Sequence, residues 1–278
     1  LFMVCLSISF HALSYNFSSG SGDALAYDSM KTAKKENEFE RYAANQLTIY
    51  RLCSGISTLC AGFALFIGHK LAYGADFIAC LIQLGVLRSL IEVYAEVPAQ
   101  NNESMRRRAL FTRLVNSFGE SLSFLKNEKK VVFLMFCNSF VGAIDILLLF
   151  FLQAKLPNRG IPEYGLGFAL LFMEMGGIVG ARLILKAKKL TYKQVFGIAA
   201  ALVLIGVFAE HSKIYILMTL GGFLAAIGDD ALQVRTNAIL QDKFPSAQRA
   251  TLTSIESFTF SAIMIWLSPL AGILFTYW

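Results

Sequence analysis

Charged side chains are absent from five stretches of the chain, 1–22, 52–69, 194–209, 214–228 and 257–278. Each is near the ~20 residues that an α-helix needs to cross a bilayer, and several extend past a single interrupting charge. Three further segments, 74–97, 131–154 and 163–185, are apolar apart from a few charges. The pattern predicts eight spanning helices. Runs such as Ile146-Leu147-Leu148-Leu149-Phe150-Phe151-Leu152 do not alternate, which excludes a membrane β-barrel. Helices satisfy their own backbone hydrogen bonds inside lipid, so they are the fold class expected here.

Composition points the same way. Of 278 residues, 56% are hydrophobic and 16% charged, against about 25% charged in an ordinary soluble domain. The mean hydropathy is +0.57. A soluble enzyme of this length would need more polar surface to stay in solution. The five cysteines, Cys5, Cys53, Cys60, Cys80 and Cys137, are scattered through apolar stretches without a C-x-x-C pair. They form neither a disulfide framework nor a zinc site and are expected to be small packing residues.

The basic residues give an independent test of eight spans. Lys31, Lys34, Lys35, Arg41 and Arg51 fall in the first connection. Arg106, Arg107, Arg108, Arg113, Lys126, Lys129 and Lys130 fall in the third, and Arg182, Lys186, Lys188, Lys189 and Lys193 in the fifth. Arg235, Lys243 and Arg249 fall in the seventh. The even connections hold only Lys70, Lys155, Arg159 and Lys213, with Arg88 left inside a span. By the positive-inside rule the odd connections are cytoplasmic, and residues 1 and 278 lie on the outer side. The chain opens in an apolar run without an initiator Met and closes in another, so it reads as a piece of a longer polytopic protein of the plasma membrane.

Gly22-Asp23-Ala24-Leu25 is echoed by Gly228-Asp229-Asp230-Ala231-Leu232, and an arginine follows before the next span, Arg41 sixteen residues after Leu25 and Arg249 seventeen after Leu232. Two such units in one orientation suggest parallel halves. The division expected is 1–97 as the last three helices of a first bundle, 98–130 as a cytoplasmic connection, and 131–278 as the first five helices of a second. Within 98–130, Leu110, Leu114, Phe118, Leu122 and Leu125 recur at helical spacing behind Arg106-Arg107-Arg108. Two readings stand: an amphipathic helix on the inner leaflet, or a solvated linker whose charges only fix topology.

The stretch Phe17-Ser18-Ser19-Gly20-Ser21-Gly22-Asp23-Ala24-Leu25-Ala26-Tyr27-Asp28-Ser29-Met30 resembles the end of the fourth helix in major facilitator superfamily transporters, of the kind grouped with bacterial drug and macrolide exporters. Phe244-Pro245-Ser246-Ala247-Gln248-Arg249-Ala250-Thr251 is similar to that superfamily's loop between helices ten and eleven. The eight spans then correspond to helices four to eleven of twelve. The resemblance implies two six-helix bundles around a cavity that opens alternately to either side, commonly driven by protons. Gly176-Gly177-Ile178-Val179-Gly180-Ala181-Arg182 stands where the family's G-x-L-x-D-R loop has its counterpart in the second half, and it lacks the acidic residue. Family members latch the inward gate with ion pairs at the cytoplasmic helix ends, which implies a gating role for Asp23, Asp28, Arg41, Asp229, Asp230, Arg235 and Arg249.

Charges within spans are the sharpest clue to function, because an ionisable group at bilayer depth is costly unless it meets water or a partner. Asp145, in Val141-Gly142-Ala143-Ile144-Asp145-Ile146-Leu147-Leu148, lies at mid-span, where a carboxyl group can bind and release a proton as its surroundings change. Glu174 and Glu256 are further proton-coupling candidates, or else buried structural partners of Arg182 or Arg235. Arg88 and Glu92, four apart, are expected to satisfy each other. Gly176 and Gly180 make a G-x-x-x-G that permits close helix approach.

No P-loop occurs, so direct ATP use is not expected, and no cofactor or metal is implied. A membrane-embedded enzyme would need clustered His, Asp or Glu, yet His11, His69 and His211 are far apart, and Asp229-Asp230 lacks a following D-x-x-D. The enzyme is the main alternative class; a channel is third and would need no proton-coupled carboxylate. The expectation is therefore a monomeric secondary transporter that exports small amphipathic molecules, with the bilayer, a small-molecule substrate and protons as partners and no nucleic acid. The 24 Phe and 10 Tyr suit an apolar cargo and a lipid-facing surface equally.

Overall fold

The computed structural model describes residues 6, 10, 20–67, 69–89, 103–161 and 163–277. Among these there are nine α-helices and no strand. They are α1 (20–32), α2 (Phe39–Ile67), α3 (His69–Leu87), α4 (Glu103–Asn127), α5 (Lys129–Lys155), α6 (Glu163–Lys186), α7 (Tyr192–Glu210), α8 (Tyr215–Lys243) and α9 (Arg249–Tyr277).

Among the described residues, five helices are long and apolar enough to cross a membrane: Lys129–Lys155, Gly165–Lys186, Tyr192–Glu210, Tyr215–Lys243 and Ser246–Leu274. They coincide with the last five of the eight expected spans. Their surfaces carry exposed Phe168, Ile205, Phe208, Ile265 and Trp266, a distribution that suits lipid and not water. The expected span at 52–69 falls on the second half of α2, and 1–22 lies almost wholly outside the described residues. The helix expected over 74–97 stops earlier, at Leu87, in a turn closed by Ser89 N–H donating to the Val86 carbonyl at 3.0 Å. Its remainder, with Glu92, lies outside the described residues, and Arg88 sits exposed in the turn.

Local chemistry explains the ends of several helices. Thr191 caps α7 reciprocally: its hydroxyl accepts from Gln194 N–H, and its own N–H donates to Gln194 Oε1 at 2.9 Å. Pro157 opens a short 3-10 turn after α5, and Gly160 closes it at φ +84°, a left-handed conformation that glycine adopts without strain. A second 3-10 turn, Ser246–Gln248, follows Pro245 and leads directly into α9.

Contacts divide the described residues into two units. The first draws on Leu1–Ala43, Val93–Ala143 and Arg235–Tyr277, and the second on Ala44–Glu92 and Ile144–Val234. Neither unit is a continuous half of the chain, since each takes segments from before and after residue 130. Tyr27, Phe39, Val131, Leu240 and Leu252 are buried in the first unit, where the Tyr27 and Phe39 rings meet edge to face at 5.0 Å. Leu152, Met173, Val203, Met218 and Leu232 are buried in the second.

Of the cysteines, Cys137 is buried as expected of a packing residue. Cys53 and Cys80 are exposed, because they lie on outward faces of α2 and α3, so for these two the packing role is corrected. The Cys5 backbone and the Cys60 side chain lie outside the described residues.

Candidate functional site

In the second unit, close helix contact creates the setting for buried charge. A Cβ at Gly176 would strike the Phe223 carbonyl oxygen, and one at Gly180 the Ile227 carbonyl oxygen. The two glycines therefore let α6 lie directly against the α8 backbone, the use anticipated for their spacing. Between them, Gly177 leaves room for side chains: a Cβ there would collide with Asp230 Oδ2 and come within 2.9 Å of Arg51 Nε.

Arg51 of α2 occupies that space. Its Nε and Nη2 donate to the two Asp230 oxygens at 2.8 and 2.6 Å, a bidentate fork, and its Nη1 donates to Glu174 Oε2 at 3.0 Å. Ser54, one turn further along α2, donates to the other Glu174 oxygen at 3.1 Å. Asp145 of α5 lines the same small cavity of about 10 Å³ as Arg51, Glu174 and Gly222, room for roughly one water molecule. Asp145 and Asp229 lie within electrostatic reach of Arg51 and Asp230. Among the described residues, neither Asp145 nor Asp229 makes a hydrogen bond or an ion pair.

Asp145, Glu174, Asp229 and Asp230 are all at most 8% exposed. Four buried carboxyl groups thus lie within electrostatic reach of one guanidinium, which bonds two of them, Glu174 and Asp230. A buried carboxylate left without an opposite charge costs several kcal/mol, and here the carboxyl groups outnumber the guanidinium that meets them.

The structure redraws the expected pairings. Glu174 does not meet Arg182 or Arg235: Arg182 donates to Asn45 at 2.7 Å, and Arg235 pairs with Glu40 at 2.9 Å. The reason is depth, since Arg182 lies two turns beyond Glu174 on α6, while Arg51 reaches it from α2. Glu256, in the first unit, accepts a hydrogen bond from Asn138 at 3.2 Å. Asp230, named among the expected gating residues, holds Arg51. Sequence reasoning missed Arg51 altogether by counting it as a topology charge; its position immediately before the charge-free run 52–69, with Ser54 a turn later, was the available signal.

A second buried guanidinium belongs to the first unit. Arg249 is 1% exposed and begins α9. It pairs with Asp28 and donates to the Phe244 carbonyl at 2.8 Å, to the Gln241 carbonyl at 3.3 Å and to Ser246 Oγ at 3.2 Å. Its guanidinium carbon stands 4.2 Å from the centre of the Tyr27 ring, a cation–π contact. Tyr27 in turn donates its hydroxyl to Asp242 Oδ1 at 3.1 Å. Burial, then the Asp242 carboxylate, pushes the Tyr27 phenol up to about 12. Burial, helped by Asp23, likewise raises the Tyr42 phenol.

The other gating candidates are dispersed. Asn237 donates to Asp23 at 3.2 Å, Arg235 holds Glu40, and Arg41 is exposed. Arg41 and Arg249 occupy matching places in the sequence echo but opposite environments. Asp229 and Asp230 fall in the second unit. Among the described residues, no group of three or more His, Cys, Asp or Glu is arranged to hold a metal ion. Compared with protein-family models, with curated proteins and with solved structures, the chain finds no match.

Proposed function

We propose that the chain is part of a secondary active transporter that resembles the major facilitator superfamily and exports small amphipathic molecules across the plasma membrane in exchange for protons. One observation carries the reading: Asp145, Glu174, Asp229 and Asp230 are buried around the single guanidinium of Arg51, on helices three of which are long and apolar enough to cross a membrane. In this reading Asp145 is the exchanging group. Arg51 then holds Glu174 and Asp230 when Asp145 is neutral and is drawn toward Asp145 when its proton leaves. The change in attraction is the means by which proton binding alters helix contacts. The basic residues of the odd connections support a cytoplasmic placement of those segments. The latch role belongs to Asp28 and Arg249, where Tyr27 and two backbone carbonyls hold the guanidinium in place.

The test is efflux of ethidium, a small amphipathic cation, from cells producing the protein, with and without an imposed proton gradient. Gradient-dependent efflux that Asp145→Asn abolishes supports the reading. Efflux that persists unchanged in Asp145→Asn removes Asp145 from the mechanism, and equal flux with and without the gradient favours a passive channel.

A further inference from the structure

The helix α4 is attached to the first unit by its polar side. Ser121 is buried, and Ser117 shares a hydrogen bond with Thr251 at 3.3 Å. Gln248 donates to Glu120 at 3.1 Å. Phe124 and Leu125 are half-buried one turn further on, whereas Val115, Phe118 and Leu122, spaced three and four apart, point outward and are 55%, 51% and 48% exposed. Leu110 and Leu114, which extend this stripe in the sequence, lie outside the residues whose side chains are described. A helix that docks through serines and presents Phe and Leu outward has the reverse of the polarity that water selects.

Two contacts fix the level at which this face sits. At its C-terminal end α4 passes through the single residue Glu128 into α5, an apolar helix long enough to span a membrane. Around Ser117 and Glu120 it docks on the first turn of α9 and the turn before it, the beginning of another such helix. A helix tied to the starts of two spans lies along the membrane boundary. Its charge suits that place: between 103 and 130 the chain has seven basic residues against Glu103, Glu120 and Glu128. Lys126, Lys129 and Lys130 are exposed.

We propose that α4 is a membrane-surface helix whose Val115, Phe118 and Leu122 enter the acyl boundary while the exposed Lys126, Lys129 and Lys130 at its end bind the headgroups of anionic phospholipids. This goes beyond the transport reading and does not depend on it. Because α4 also holds the turn preceding Arg249, anionic lipid becomes a stabilising ligand of that turn.

The test places a photoreactive benzoylphenylalanine at position 118 of the full chain, reconstituted in bilayers of phosphatidylglycerol and phosphatidylcholine, and analyses adducts by mass spectrometry after illumination. Lipid adducts enriched in phosphatidylglycerol above its share of the bilayer are expected. In the variant carrying Lys126→Gln, Lys129→Gln and Lys130→Gln, that enrichment falls, by up to on the order of fivefold per charge at low ionic strength. Adducts that follow bulk lipid composition in both proteins overturn the anionic-lipid assignment. Absence of lipid adducts, or adducts to another protein in native membranes in place of lipid, overturns the surface placement.

Discussion

Two buried guanidinium groups solve the same problem in opposite ways. Arg249 has one carboxylate, two backbone carbonyls, a hydroxyl and an aromatic face. Asp28 is its ion-pair partner, Asp242 lies within electrostatic reach on the far side of Tyr27, and the neutral partners hold it regardless of protonation. Arg51 has only carboxylate partners, Glu174 and Asp230, with Asp145 and Asp229 close by and unmatched. The first arrangement fixes a turn. The second is left with more acid than base and is complete only when something else supplies positive charge.

The largest expected effect separates the two by rescue. Arg51→Met loses about 3–5 kcal/mol of stability, since it strands the buried Glu174 and Asp230 carboxylates, and Arg249→Met loses a comparable amount, since it leaves the Phe244 and Gln241 carbonyls and the part-buried Asp28 without their donor. Adding Glu174→Gln and Asp230→Asn to Arg51→Met recovers most of the thermal midpoint in detergent, because all its strong partners are then neutral. Adding Asp28→Asn to Arg249→Met does not, because the Gln241 and Phe244 carbonyls stay unpaired. Equal rescue of both would erase the distinction.

Packing comes next in size. Gly180→Ala forces a methyl against the Ile227 carbonyl and costs on the order of 1–3 kcal/mol, measured by thermal melting. Gly177→Ala presses on flexible side-chain ends instead, so its loss of stability is smaller than that of Gly180→Ala, and it loosens Asp230 from Arg51.

Tyr27→Phe keeps the ring over Arg249 and removes the bond to Asp242, a loss of about 1 kcal/mol. It also changes the alkaline limb. The folded-state phenol titrates near 12 against 10.0 unfolded, so between these values the unfolded chain releases its proton first and stability falls as pH rises. That part of the fall disappears in Tyr27→Phe; an unaltered alkaline limb would show that Tyr27 is not held as described. Smallest of all is Arg41→Ala, within ~0.5 kcal/mol for an exposed side chain, despite its matching place in the sequence echo.

Much of the helix layout was readable from charge-free runs, because an apolar span is a one-dimensional signal. Asp145 was legible for the same reason, as the lone charge between Lys130 and Lys155, and Glu174 as a charge between Glu163 and Arg182 in an otherwise apolar segment. Arg51 was not, since it stands at a run's edge, where a basic residue ordinarily marks topology, and only packing across Gly177 turns it inward. The pairing of Arg249 with Asp28 joins residues 221 positions apart, beyond what local pattern specifies. On α4 the spacing revealed an apolar stripe at Phe118 and Leu122, but which side the protein would cover depended on Ser117 and Ser121 meeting the start of α9.

Infrared difference spectroscopy on the protein in lipid reads the charge balance around Arg51 without any substrate. A change of pH should alter the carbonyl stretch of a protonated carboxyl group in the wild type, and that band should vanish in Asp145→Asn while those of other groups remain. A spectrum unchanged by Asp145→Asn would contradict an exchangeable proton at this position.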